Sequence, residues 1–153
     1  MVSPVDVLCL VMFVGLMALE GRRGIIPALV DFLCILLGLI GIRLAYMPFS
    51  EQVGPPSFAY LLLAIVVLVL TAGIAVFMSV RLKVNVTATE AAVGAFLGLC
   101  TAAVISYGFF EYLAIRYGAH APIITDSVLS WQLYEFRGYQ AFVDFMRTLM
   151  GRS

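Results

Sequence analysis

Charge is what this chain has least of. Asp, Glu, Lys and Arg make up 12% of its 153 residues, against about 25% in a soluble domain. No charged side chain stands between Glu51 and Arg81. Nine basic and nine acidic residues cancel, so no basic excess exists to neutralise phosphates, and a nucleic-acid partner is not expected. The one histidine, His120, has no neighbouring ligand types, and Cys9, Cys34 and Cys100 are widely separated with no Cys-x-x-Cys spacing. Metal and disulfide frameworks have nothing to stand on, and the thiols read as small apolar side chains. The sequence also lacks a nucleophile elbow, a phosphate loop and an acid–base constellation, so neither an enzyme nor a bound cofactor is expected.

What is present is apolar. Hydrophobic residues make up 63% of the chain and the mean hydropathy is +1.09. A small water-soluble domain has too little interior to hide that surface, and disordered chains lack it altogether. The lipid bilayer is the solvent that fits. The composition predicts an all-α integral membrane protein of four transmembrane helices with a C-terminal amphipathic helical segment.

The spans are expected over residues 3–20, 25–46, 58–80 and 90–112, within a membrane domain of residues 1–113. The clearest is Phe58–Val80, whose Leu, Ile, Val and Phe residues together contribute on the order of −6 kcal/mol on an insertion scale. Pro55-Pro56-Ser57 precedes it, with Ser57 a helix-cap candidate. Thr87-Ala88-Thr89-Glu90 is a capping-box pattern that starts the fourth span. The charge-free run Val7–Leu19 is short for a bilayer. It reaches spanning length by starting at Ser3-Pro4-Val5-Asp6, where a cap, a proline and an acid follow one another. Residues 1–6 hold no base, so a cleaved signal peptide is not expected.

Arg22 and Arg23 fall between the first two spans and Arg81 and Lys83 between the last two, whereas Met47–Ser57 carries no base. The positive-inside rule then places these two basic loops in the cytoplasm and both termini outside it, in a multi-pass protein of the bacterial inner membrane. Arg43 is expected to snorkel to the outer headgroups. In the extracytoplasmic tail, residues 114–153, Leu129, Leu133, Phe136, Val143, Met146 and Met150 recur at helical spacing, with Arg137, Gln140, Asp144 and Arg147 on another face. Such a helix either lies on the membrane surface or packs on protein.

Three features stand out as functional or packing candidates. Gly94, Gly98, Ala102 and Ser106 form a small-residue row that admits another helix at close range, either within the bundle or from a membrane-protein partner or second copy. Gly21-Arg22-Arg23-Gly24 makes a tight turn bracketed by glycines. Asp31 lies seven residues beyond Gly24, roughly 10 Å into the span. An acid there marks an ion path or a buried pair, with Arg23, Arg81 and Lys83 in reach. No second acid is expected at its depth, since Asp6 and Glu111 fall near the outer ends. A protonated or Arg-paired structural acid is therefore favoured over a small transporter or channel subunit using Asp31.

Over nearly its whole length the chain resembles the colicin V production family, small bacterial inner-membrane proteins of four helices with a C-terminal segment. The likeness rests on Val5-Asp6, Gly21-Arg22-Arg23-Gly24, Thr89-Glu90 followed by Gly94 and Gly98, and Ser127-Val128-Leu129. It departs from the family at Pro27 and Ala28, where an Arg-Glu pair is usual, and at Ala91 and Thr101, where arginines are often found. The resemblance implies an accessory or scaffold role in toxin production or export, or in envelope integrity and biofilm growth. The candidate positions are Gly21, Arg22, Arg23, Gly24, Asp31, Glu90, Gly94, Gly98 and Ser127.

Overall fold

A computed structural model of the chain describes residues 4–81, 86–118 and 121–127. It is all-helical, and no strand occurs among the described residues. Helices α1 (Pro4–Arg23), α2 (Ile25–Val53), α3 (Pro56–Arg81) and α4 (Ala88–Tyr117) are each long and apolar enough to cross a membrane; α5 (Pro122–Thr125) is a single turn. The apolar face of α3 is almost wholly uncovered, with Val69, Leu70, Val76 and Phe77 all more than half exposed. Water does not tolerate a continuous surface of that kind.

Helices occupy the four expected stretches, and their ends differ from those expected. The α2 helix runs past Tyr46 and through Pro48 to Val53, although a proline there removes one N–H from the ladder and crowds the carbonyl four residues back. Its last turn hands over to Gly54, whose N–H donates to Ser50 O at 3.0 Å. The α3 helix begins at Pro56, so Ser57 is not its cap but a buried residue of its first turn. The capping box of α4 is present as read. Thr87 Oγ1 accepts from Glu90 N–H and the Glu90 carboxylate accepts from Thr87 N–H at 2.8 Å, satisfying two otherwise orphan donors. The turn between α1 and α2 is tighter than expected. Gly21, Arg22 and Arg23 continue α1, and Gly24 alone reverses the chain at φ 84°, a conformation glycine adopts without steric cost.

The small-residue row of α4 lies against α1, which is the within-bundle arrangement. A Cβ on Gly94 would stand 2.5 Å from Glu20 O, and one on Gly98 2.5 Å from Leu16 O. Gly21 completes the seam from the other side, opposite Ala91 O and Ala95 Cβ at 3.3 Å. Ala102 and Ser106 are fully buried further along. Helix α2 packs on both α3 and α4, while α1 and α3 hardly touch. At the end distant from Gly24, Val5, Cys9, Phe110, Leu113 and Ile124 form an apolar cluster that holds α5 against α1 and α4. Residues 128–153, with the expected amphipathic faces, lie outside the described residues, as do Lys83 and His120.

Candidate functional site

The most concentrated chemistry lies beside the α1–α2 turn. Arg23, one residue before the reversal, points back along the bundle. Its Nη1 donates to Glu20 Oε1 at 2.9 Å and to Asp31 Oδ2 at 2.6 Å, and its Nη2 donates to Ala75 O on α3 at 2.8 Å. One guanidinium thus ties α1, α2 and α3 together. Glu20 is 2% exposed and Asp31 6%. A buried carboxylate is very costly unless paired and hydrogen-bonded, and the arginine fork is suited to that task.

Pairing of Asp31 with Arg23 agrees with the reading from sequence. The expectation that no second acid shares its depth is corrected: Glu20 stands beside it on the same arginine. Glu20 sits at the boundary of the charge-free first span, three residues before Arg23. That spacing, which brings two helical side chains onto one face, was the available signal. The shared arginine leaves each acid half satisfied, for Glu20 Oε2 and Asp31 Oδ1 accept no hydrogen bond from any described residue.

Glu20, Arg23 and Asp31 line a cavity of about 590 Å³ between α1 and α3, floored by α2 and α4. Its remaining walls are aliphatic apart from Thr71 and Thr101. Both hydroxyls donate to carbonyls of their own helices, Val67 O and Leu97 O, at 2.9 Å.

A second polar cluster occupies the opposite end. Arg43, whose side chain stays exposed, donates through Nε to Glu111 Oε1 at 2.7 Å with its guanidinium over the Tyr107 ring at 5.6 Å. The buried Tyr60 hydroxyl reaches Glu111 Oε2 at 3.2 Å and Gly108 O at 3.1 Å. Tyr46 packs edge-on against the Tyr60 ring. Tyr60 carried no signal in the sequence beyond its place in the first turns of a span. Nearby, Ser127 Oγ donates to Asp6 Oδ1 at 2.5 Å, both side chains buried. The resemblance names Asp6 and Ser127 separately; the structure brings them together across 121 residues of chain.

The other candidate positions act locally. Arg22 is exposed, Gly24 makes the turn, Glu90 caps α4, and Gly21, Gly94 and Gly98 form the α1–α4 seam. They do not join the Arg23 cluster, although the backbone carbonyl of Glu20 abuts Gly94. Compared with protein-family models, curated proteins and solved structures, the chain matches none.

Proposed function

We propose that the protein is a non-enzymatic accessory or scaffold component of the bacterial inner membrane, of the kind implied by its resemblance to the colicin V production family. Its role is then in the production or export of a peptide toxin, or in envelope integrity. The observation that carries this reading is the use made of charge between helices. Arg23 links α1, α2 and α3 at one end, and the Arg43–Glu111–Tyr60 group links α2, α3 and α4 at the other. Between them Ile35, Leu68 and Ile105 form an apolar layer shared by the walls of two cavities. Charges arranged in this way fix the helices and favour a rigid surface over a polar route across the membrane. In this reading the Arg23 end faces the cytoplasm with Arg22 and Arg81, both termini lie outside, and the lipid bilayer and a membrane-protein partner surround the bundle.

The Glu20–Asp31 pair on its cavity favours one second reading, a small transporter or channel subunit using Asp31. Reconstitution of wild type and Asp31→Asn into liposomes, with ion flux followed beside complementation of a deletion strain, separates the two. The amide keeps the shape of the side chain and cannot cycle a proton. A scaffold gives no flux above empty liposomes and is complemented by Asp31→Asn. A wild-type flux lost in a well-folded Asp31→Asn, together with failed complementation, overturns the scaffold reading.

A further inference from the structure

Helices α1 and α3 hardly pack, and the gap between them is the cavity of about 590 Å³ that Glu20, Arg23 and Asp31 close at one end. These three groups offer a ligand little. Arg23 already donates in three directions, and the unpartnered oxygens Glu20 Oε2 and Asp31 Oδ1 are closed to water. The Thr71 and Thr101 hydroxyls are engaged within their own helices, and the rest of the wall is aliphatic. Water finds too few partners to fill such a space. Left empty, the space forfeits the dispersion contacts of its walls. Leu19 on α1 and Val76 on α3 both line the cavity, yet they are 50% and 64% exposed. The cavity therefore opens sideways between them, onto hydrocarbon when the bundle lies in a bilayer. Arg22 stands at the end of this mouth. It follows Leu19 by three residues in the last turn of α1, which sets the two side chains along one edge of the helix. Its side chain is exposed and has no ion-pair partner among the described residues.

We propose that this cavity holds an acyl chain of a glycerophospholipid whose phosphate sits on Arg22. The chain fills the aliphatic space, and the guanidinium fork matches the phosphate oxygens. Basic side chains between helices at the membrane edge recognise lipid headgroups in this way. A helix, from a partner or a second copy, is the wrong width for the gap. It would hold α1 and α3 each about 8–10 Å from its own axis, and Arg23 on α1 could not then reach Ala75 O on α3 at 2.8 Å. Inorganic phosphate would use Arg22 and leave the cavity empty, and a diacylglycerol would do the reverse. The inference rests on the four spans lying in a bilayer, and it holds for an accessory protein as for a carrier.

The test is native mass spectrometry of the full chain in mild detergent, titrated with dioleoylphosphatidylglycerol, with dioleoylglycerol and with inorganic phosphate. One phosphatidylglycerol is expected to bind saturably, at least tenfold tighter than dioleoylglycerol, with no phosphate retained. Arg22→Gln should lower phosphatidylglycerol affinity at least tenfold and leave dioleoylglycerol unchanged. Ala72→Phe, which crowds the cavity wall, should weaken both lipids, whereas Ala18→Phe, on the exposed face of α1, should weaken neither. All three substitutions are at exposed positions, so none removes a buried contact. Equal affinity for the two lipids overturns the proposal. So does a ladder of equally weak lipid adducts, binding that survives both Arg22→Gln and Ala72→Phe, or a second polypeptide in place of the lipid. Extraction of the chain from membranes by alkaline carbonate would instead refute the bilayer reading itself, so the two failures are told apart.

Discussion

Replacing Gly98 by alanine adds one methyl group where α1 and α4 are closest, and its effect can be worked from the geometry. The new Cβ would stand 2.5 Å from Leu16 O and 3.0 Å from both Leu16 C and Glu20 Cβ. Non-bonded heavy atoms settle at about 3.5 Å or more, so α1 must withdraw by about 1 Å. The nearest obstructing atoms are backbone, and no rotamer change relieves them. A gap of about 0.5–1 Å already forfeits about a quarter to a half of the dispersion energy of each contact it opens. Overpacking of this kind costs about 1–3 kcal/mol. Alanine recovers about 0.5–1 kcal/mol over glycine in a helix interior, leaving a net loss of about 1–2 kcal/mol. Gly73→Ala is the matched control, since a Cβ there meets nothing within 4 Å. It keeps only the favourable part and should be neutral or stabilising. Gly98→Leu should lose more than Gly98→Ala, whereas Leu99→Ile, on a side chain 40% exposed, should stay within about 0.5 kcal/mol of wild type. Denaturant unfolding in mild detergent, followed by far-ultraviolet circular dichroism, reads all four. Equal stability of Gly98→Ala and Gly73→Ala would refute the close approach of α1 and α4.

Two further expectations concern the opposite end. Ser127→Ala removes the buried donor to Asp6 and should cost about 1–3 kcal/mol. Amide hydrogen exchange across residues 121–127 should accelerate, with Asp126→Ala, on an exposed side chain, as the control; identical exchange in the two variants would show that the Ser127–Asp6 contact does not hold α5. Tyr60→Phe keeps the ring against Tyr46 and removes the hydroxyl from Gly108 O and Glu111 Oε2. It should destabilise by about 1.5–3 kcal/mol, as expected for a hydrogen bond to a charged group. Combined with Arg43→Gln it should depart from additivity by more than about 0.5 kcal/mol, and strict additivity would mean the two do not act through a common Glu111.

Legibility in the sequence followed periodicity and composition. Four spans are visible because a bilayer-crossing helix needs about 20 apolar residues, and few other structures use such a run. The capping box at Thr87–Glu90 and the glycine row from Gly94 were readable because each is a local rule with fixed spacing. What faces what across the bundle was not readable. Arg43 looked like a headgroup anchor because, in sequence, nothing places Glu111 beside it; the pairing exists only once α2 and α4 are packed. Ser127 and Asp6 likewise meet only through the tertiary fold. Glu20 was overlooked for a different reason. It ends a charge-free run and so reads as a residue at the membrane edge, yet α1 continues to Arg23 and carries Glu20 inward, where α4 covers it through the close approach at Gly94.

The two ionic clusters differ in a way that bears on their roles. In the Glu111 cluster one arginine meets one carboxylate, and the second carboxylate oxygen takes the Tyr60 hydroxyl. Both oxygens of that acid are occupied, so the half-buried carboxylate is satisfied where it links the helices. In the Arg23 cluster one arginine meets two carboxylates, and one oxygen of each remains unpartnered among the described residues. If cross-linking were the only demand, Glu20 as glutamine would serve it better, removing the excess charge while keeping an acceptor for Arg23. The extra carboxylate is thus a stability cost with no structural return inside the bundle. It also stands in the wall of a cavity, together with Arg23 and Asp31. Two acids on one arginine distinguish the Arg23 end from the one-to-one ionic cross-link at Glu111.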